Sequence, residues 1–498
     1  MAPGKALNGK PYAGNPHVRF DEGEVASAAT SRRGSLLYNM RKHTWKAAIS
    51  AAAIVVGAAI PTAANADTIV TQTINNVEWR FKLNPTYGTA TLGINPAAVN
   101  TNTGRDNEAL QACPNVPVDA ALIPWTFIGA DDGIHYTVTA VAVGAFYQHT
   151  QLTGTLTIPD AVKSIGTSAF QKIGDSLKRL EGGNGVTELG MYAFSTCTSM
   201  AGTYPDLSKL TYLGEAPFKD CSLLTGELKL GNSLETIPYL AFANSYYSGT
   251  AVIPSFVTNM GENANYGVFE TNPNLQAIWV KGKATTVSQT YTTVYCARFA
   301  ASCSQMKMIL MGQNTKGARI RQTDSNAMLA SDSGVQVFVP ANGYWTDLVA
   351  GWSNNKLWYY GSSEEFDLAV NDADMTATFT PTTVNALTNS LAWAKDFKTY
   401  FNLDAHISVT NTLDLTGVTI DSTAVSGVTF DRLMFSAKTQ AQLNAILDAF
   451  PATTPVSIDP TGLTENMVIP ETYNNVHVKT VPGVTIKRTT KGFMIIVK

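Results

Sequence analysis

The sequence predicts a β-rich α+β protein: a solenoid of stacked coils, with a β cap before it and an α+β domain after it. Three observations carry this. A phenylalanine recurs every 24 residues through the middle of the chain, a stretch before it alternates apolar and polar residues, and two stretches after it gather apolar residues on one helical face. With 498 residues, 45% hydrophobic and 15% charged, the chain is far too apolar for disorder. A net charge of −3 leaves no electrostatic footprint for nucleic acid.

Residues 1–39 mix Gly, Ser, Arg and Asn with no apolar period and read as a disordered extension. From Met40 the pattern changes to a basic stretch (Arg41, Lys42, Lys46), an apolar run from Ala47 to Ala59, and Ala64-Asn65-Ala66. This is the three-part order of a signal peptide over 40–66, with cleavage expected after Ala66. A membrane helix would need about 20 apolar residues, and this run is shorter and interrupted by Pro61. Eight of the 35 Lys/Arg and three of the 38 Asp/Glu lie in the first 66 residues, so the remainder carries 27 against 35, a balance of −8. No later apolar run approaches spanning length, so no integral membrane span is expected after processing.

Residues 67–135 read as an N-terminal β cap. Val77, Trp79, Phe81 and Leu83 alternate with Glu78, Arg80 and Lys82, a period-two strand. Asn84-Pro85-Thr86-Tyr87-Gly88 supplies a turn, and Ala90, Leu92 and Ile94 a return strand. Such a hairpin would close the open end of a solenoid, which otherwise presents an unpaired edge.

The repeat fills residues 136–282. Phe146, Phe170, Phe194, Phe218 and Phe242 stand 24 apart, with Phe269 after 27. Before each comes a recurring turn: Ile165-Gly166 then Ala169-Phe170, Leu189-Gly190 then Ala193-Phe194, Leu213-Gly214 then Pro217-Phe218, Ile237-Pro238 then Ala241-Phe242. Each unit is one coil: an apolar strand, a tight turn opened by Gly, and a return arm whose Phe plugs the interior. One coil cannot bury its own Phe and Leu, so neighbours must stack.

These residues resemble the BspA-type leucine-rich repeats of bacterial surface proteins, whose consensus runs I-P-x-x-V-x-x-I-G-x-x-A-F-x-x-C-x-x-L. The run from Ile158 to Phe170 matches it almost position for position, and its Cys falls on Cys197 and Cys221. The resemblance implies a leucine-rich repeat solenoid, a place on bacterial surfaces or in their secretions, and adhesion to host proteins, other microbes or matrix. Pro217, Pro238 and the longer spacing before Phe269 depart from the pattern and are expected to loosen the last coils.

Residues 283–361 read as an insertion followed by a closing repeat, the latter in Val335–Pro340 with Tyr344, Trp345 and Trp352. Residues 362–498 read as a C-terminal α+β domain with a possible sorting or anchoring role. Leu387, Leu391, Trp393, Ala394 and Phe397 share one helical face within Val384–Phe401, and Leu443, Ile446, Leu447 and Phe450 share another within Gln440–Phe450. β-branched runs follow at Ile407–Thr410, Leu413–Ile420, Val476–Val478, Val484–Lys487 and Phe493–Val497, the last two forming a hairpin.

Cysteine and carboxylate spacing point to little chemistry. Cys197 and Cys221 sit in repeat register and read as small core groups, a bridge between them being strained. Cys296 and Cys303, seven apart and outside the repeat, are candidates for a disulfide in an exported chain, and Cys113 is left over. No C-x-x-C pair is present and the four histidines after the leader (His135, His149, His406, His477) are scattered, so no metal and no cofactor is expected. Motifs for serine, zinc or nucleotide chemistry are missing. The acidic pairs Asp131-Asp132, Glu364-Glu365 and Asp372/Asp374 read as solvated surface rather than a glycosidase or calcium site.

What remains is surface. With Leu156, Ile158, Leu228 and Leu230 inward, Thr155, Thr157, Glu227 and Lys229 face outward, and the same step turns Trp279 outward between Ile278 and Val280. Trp279 with Arg179, Glu181, Glu227 and Lys229 would make a mixed aromatic and polar face for an extracellular protein or glycan. The competing reading packs Trp279 beneath the segment after residue 282. The chain is thus expected to be an exported, adhesin-like, non-enzymatic binding protein. A second reading is an extracellular hydrolase with its active site in 362–498 and the repeats as a targeting module.

Overall fold

The computed structural model describes residues 68–497 apart from 96–98, 100, 264, 284–290, 297, 319–333, 346–355 and 362–364. The extension and signal peptide expected over 1–66, and Trp352 and Glu364, therefore lie outside the described residues. Within them the protein is mostly β, with two long helices in the C-terminal third.

Two ladders of parallel strands run along the repeat. The corner ladder stacks His135–Val141, Ser164–Ile165, Glu188–Leu189 and Tyr212–Leu213, and resumes through Thr236–Ile237, Asn259–Met260, Thr292–Tyr295 and Thr315–Ala318. The face ladder stacks Val118–Asp119, Leu152–Ile158, Leu177–Gly182, Ala201–Thr203 and Leu224–Thr225, and resumes through Gly249–Ile253, Leu275–Val280, Met308–Met311, Gln336–Pro340 and Lys356–Tyr360. Between the ladders the phenylalanines stack face to face: Phe146 on Phe170 at 5.1 Å, Phe170 on Phe194 at 5.1 Å and Phe194 on Phe218 at 5.3 Å, all within 9° of parallel. From Phe218 to Phe242 the ring contacts pass through Tyr204 and Tyr247. The expected core residues Phe146, Phe170, Phe194, Phe218, Phe242, Phe269, Cys197 and Cys221 are all at most 1% exposed.

Coil spacing explains the turn glycine. A Cβ on Gly190 would lie 2.3 Å from the Thr167 nitrogen of the preceding coil, and one on Gly214 2.2 Å from that of Met191. The Phe is flanked two residues either side by left-handed backbone: Tyr192 and Thr196 around Phe194, Ala216 and Asp220 around Phe218, Leu240 and Asn244 around Phe242. Three residues after the Phe a polar hydrogen caps the Phe carbonyl of the coil before. The Cys197 thiol donates to Phe170 O and the Cys221 thiol to Phe194 O, each at 3.1 Å, and Ser245 and Asn272 do the same for Phe218 and Phe242. Each buried carbonyl thereby keeps a partner. Cys197 and Cys221 are thiols, not a bridge.

This signature corrects the reading of an insertion after residue 282, whereas Gln336–Pro340 of the expected closing repeat stacks on Met308–Met311. Arg298 and Ser302 are left-handed and flank Ala300, and the Cys303 thiol donates to Phe269 O at 3.1 Å. Ala300 thus stands in the Phe position of a further coil, and Phe299 turns edge-on to Phe269 instead. Cys303 belongs to the repeat rather than to a loop, with Cys296 buried on the same coil and its thiol donating to Val294 O at 3.5 Å. A recurrent Cys-x-x-apolar run (Cys197 to Met200, Cys221 to Leu224, Cys303 to Met306) was the signal for this in the sequence.

At the N-terminal end Val77, Trp79, Phe81 and Leu83 are buried, and Thr89–Leu92 pairs in parallel with His135–Val141, so the hairpin does extend the corner ladder. An additional strand, Thr68–Ile74, pairs antiparallel with Val77–Asn84 across Asn75-Asn76, both with positive φ as a two-residue I′ turn requires.

In the C-terminal region the hairpin Phe366–Asn371/Thr376–Pro381 leads into helix α1 (Val384–Phe401), capped by Thr383, whose hydroxyl accepts from Ala386 N at 3.1 Å. Parallel strands Asp404–Ser408, Thr429–Ser436, Val456–Asp459 and Val476–Val478 follow, with helix α2 (Gln440–Ala449) between the second and third. Gly492–Val497 pairs with both Val484–Thr489 and Met467–Pro470. The run Leu413–Ile420, expected as a strand, makes one bridge, Leu413 to Phe435. Its apolar residues Leu413, Leu415 and Ile420 reach the core from a loop turned at Gly417.

Candidate binding surface

On the face ladder the inward residues are apolar, and the outward ones change character along the solenoid. In the early coils they are mostly polar, Ala201 opposite Arg179 being an exception. Thr155 stands opposite Arg179 and Thr157 opposite Glu181; two coils on, Thr203 stands opposite Thr225. Arg179 and Glu181 pair at 2.7 Å with side chains 58% and 47% exposed. Glu227 and Lys229 are exposed on either side of buried Leu228. Four of the five residues expected to form a binding face are therefore on it and open. An exposed pair of this kind contributes about 0–1 kcal/mol, so it can exchange its partner for a ligand at little cost.

The later coils turn apolar at the same outward positions. Val252, Trp279, Leu310, Phe338 and Trp358 stand in register across five strands. Helix α1 lies on this row: Phe338 meets Trp393 and Phe397, each at 5.2 Å, and Trp358 meets Trp393 at 4.6 Å. Trp279 is the fifth expected binding residue, and here the expectation is corrected. It points outward from the solenoid but is 2% exposed, 6.0 Å from Phe401 of α1, with the Lys281 ammonium 4.6 Å over its ring. Among the described residues its cover is α1, from the C-terminal region. Strand alternation tells which side a residue takes, never what lies above it.

Several of the ionisable groups singled out earlier have structural partners. Asp132 borders a cleft of about 480 Å³ beside Thr68–Thr73 and accepts from Tyr136 Oη at 2.7 Å and Ile134 N at 2.9 Å. Those hydrogen bonds hold its carboxyl below the usual range, the opposite of what a general acid needs. Asp372 pairs with Lys281 at 3.3 Å, and Asp374 accepts from Asn371 at 2.7 Å. Cys113 Sγ lies 3.4 Å from His149 Nε2 with both residues buried. Burial pushes the thiol up to about 12 and the imidazole down, so the pair is neutral and not a thiolate nucleophile. Among the described residues no group of His, Cys, Asp or Glu is placed to hold a metal ion.

Missed from sequence was a row of tyrosines on the corner of the coils. Tyr239 and Tyr266 stack at 6.2 Å, three residues before Phe242 and Phe269. Only the stacking register brings residues so far apart in sequence side by side.

Residues 139–276 match the family model described as the BspA type leucine rich repeat region, in six copies. Among solved structures, a leucine rich cell surface protein from Faecalibacterium prausnitzii A2-165 is 15% identical, with 60% of this chain and 97% of that one covered and a TM-score of 0.29. A leucine-rich repeat protein from Bacteroides ovatus ATCC 8483 is 14% identical, with 61% and 100% covered and a TM-score of 0.21. No curated protein matches. With the phenylalanine ladder, the turn glycines and the capped carbonyls all in the matched span, residues 139–276 are a BspA-type leucine-rich repeat region.

Proposed function

We propose that this is an exported, non-enzymatic binding protein that acts at a bacterial surface or in its surroundings, holding an extracellular protein or glycan against the outward face of its early coils. One observation carries the reading: in the early coils the face ladder turns the exposed side chains of Thr157, Arg179, Glu181, Thr203, Glu227 and Lys229 outward, while the later outward row Val252, Trp279, Leu310, Phe338 and Trp358 is apolar and packed with α1. The mechanism is avidity from a rigid array of side chains at strand spacing, with no bond made or broken. Export rests on the order of basic, apolar and Ala-x-Ala segments over 40–66. Among the described residues no helix is long and apolar enough to cross a membrane.

The test is an array of extracellular proteins and glycans probed with the wild type and with Arg179→Glu/Lys229→Glu. The variant is expected to keep its melting midpoint and lose at least about tenfold in affinity for whatever the wild type binds, since two rim charges are reversed. Equal binding by both chains would move the ligand off this face. Detection of the mature chain only inside cells would overturn export.

A further inference from the structure

Three residues before each ladder phenylalanine, the side chains form a row along the corner of the coils: Thr167, Met191, Glu215, Tyr239 and Tyr266. Adjacent coils are locked in register there by Tyr192 N donating to Glu215 O at 2.8 Å. Tyr192 and Tyr239 rest their rings on Ala216, Leu240 and Ala243, and Tyr212 stands on the corner strand of Glu215's own coil. Tyr239 stands beside Glu215 in the row, one coil on, and Tyr192, Tyr212 and Tyr239 all feel its charge. Glu215 is half-buried, and among the described residues it makes no ion pair. Burial pushes its carboxyl up. A half-buried carboxylate beside tyrosines, with no ion pair among the described residues, is a composition suited to a cation.

The chain's own earlier coils show what lies along this corner. A strap made by Val99 and residues 101–108 crosses it: Thr167, in the same row, donates its hydroxyl to Val99 O, and Gly144 meets the Arg105 backbone. From that strap the Arg105 guanidinium sits 5.5 Å over the Tyr147 ring, with Lys172 Nζ at 5.4 Å. Beyond the strap the row continues through Glu215, Tyr239 and Tyr266 with Tyr266 48% exposed.

We propose that Glu215 with Tyr192, Tyr212 and Tyr239 is a recognition site for a lysine or arginine side chain carried on an extended peptide segment of a partner protein. The row would receive that segment as it receives the strap two coils earlier, the cation replacing water at the carboxylate and between the rings. This site is on the corner ladder, apart from Arg179 and Lys229 on the face ladder, so the two readings stand or fall separately.

The probe is a fluorescein-labelled peptide of alternating Gly and Lys, followed by anisotropy at low salt on the full chain, with the Gly-Glu peptide as control. The Lys peptide is expected to bind and the Glu peptide not to. Glu215→Gln is expected to weaken the Lys peptide about tenfold, the loss typical of a charge-assisted contact, while Glu471→Gln, the same charge change on an exposed residue of the C-terminal region, leaves it unaltered. Tyr212→Leu reads the same site by a second route if Glu215→Gln lowers the melting midpoint, and is expected to weaken binding severalfold. No binding of the Lys peptide, equal binding by Glu215→Gln or Tyr212→Leu, or an equal loss in Glu471→Gln would each overturn the proposal.

Discussion

Truncating Trp279 to alanine separates two roles for this residue, a solvent-facing anchor or a plug between the solenoid and α1. Its indole is 2% exposed and touches Phe401. A tryptophan buries roughly 200 Å², which at about 25 cal/mol per Å² is about 5 kcal/mol. Alanine recovers a small part of that, and the lost Lys281 contact removes about 1 kcal/mol more. Large-aromatic truncations in cores cost about 3–5 kcal/mol, so about 4 kcal/mol is expected, roughly a thousandfold in an opening equilibrium. The loss falls on the seam between α1 and the face ladder. Native-state hydrogen exchange by mass spectrometry is the assay: amides of Leu391–Phe401 are expected to lose protection by that factor, while peptides around Phe170 and Phe194 keep theirs. A fall of less than about tenfold in α1 would refute the reasoning. A solvent-facing anchor would instead leave folding intact on truncation.

Three further outcomes follow from the coil geometry. Cys221→Ser keeps a donor for Phe194 O, as Ser245 does for Phe218 O, whereas Cys221→Ala orphans a buried carbonyl; urea melts are expected to show the alanine variant about 1 kcal/mol less stable than the serine one. Thr196 is β-branched at φ 64°, so Thr196→Asn is expected to raise stability by about 0.5 kcal/mol, and a lower melting midpoint would refute strain at that position. His149 is buried against Cys113 with Pro114 O and Glu108 near, and burial lowers its pKa. The unfolded imidazole takes a proton near about 6.5 and the folded one resists, so its contribution is fully present above that value and is lost as pH falls toward the depressed folded pKa. Between pH about 7.5 and 5.5 the wild-type midpoint is expected to drop more than that of His149→Gln, and parallel drops would remove His149 from the account.

The legible parts of this protein are those written as local period. A ladder of buried phenylalanines needs the same residue once per coil, so Phe146 to Phe242 announced the solenoid, its core and its register. Val77–Leu83 announced a strand by alternation, and the apolar faces of 384–401 and 440–450 announced both helices. The coil at Ala300 was hidden because the plug had shrunk to a methyl group while the backbone and the Cys303 cap stayed. Thr68–Ile74 was hidden in the same sense, its sign being only the Asn75-Asn76 turn.

Which surfaces are open was settled elsewhere. Alternation places Arg179 and Trp279 on the same outward side, yet Arg179 meets solvent and Trp279 meets Phe401, because α1 returns from distant sequence to cover the later coils. Glu215 likewise acquires Tyr192 and Tyr239 as neighbours only when coils 24 residues apart are stacked. Sequence by itself determined the repeat, its core and the side each strand residue takes, since these follow from periodicity within a coil. Tertiary structure alone decided which of those sides stays in water, since burial depends on what packs above a strand, and that is a long-range fact with no local period.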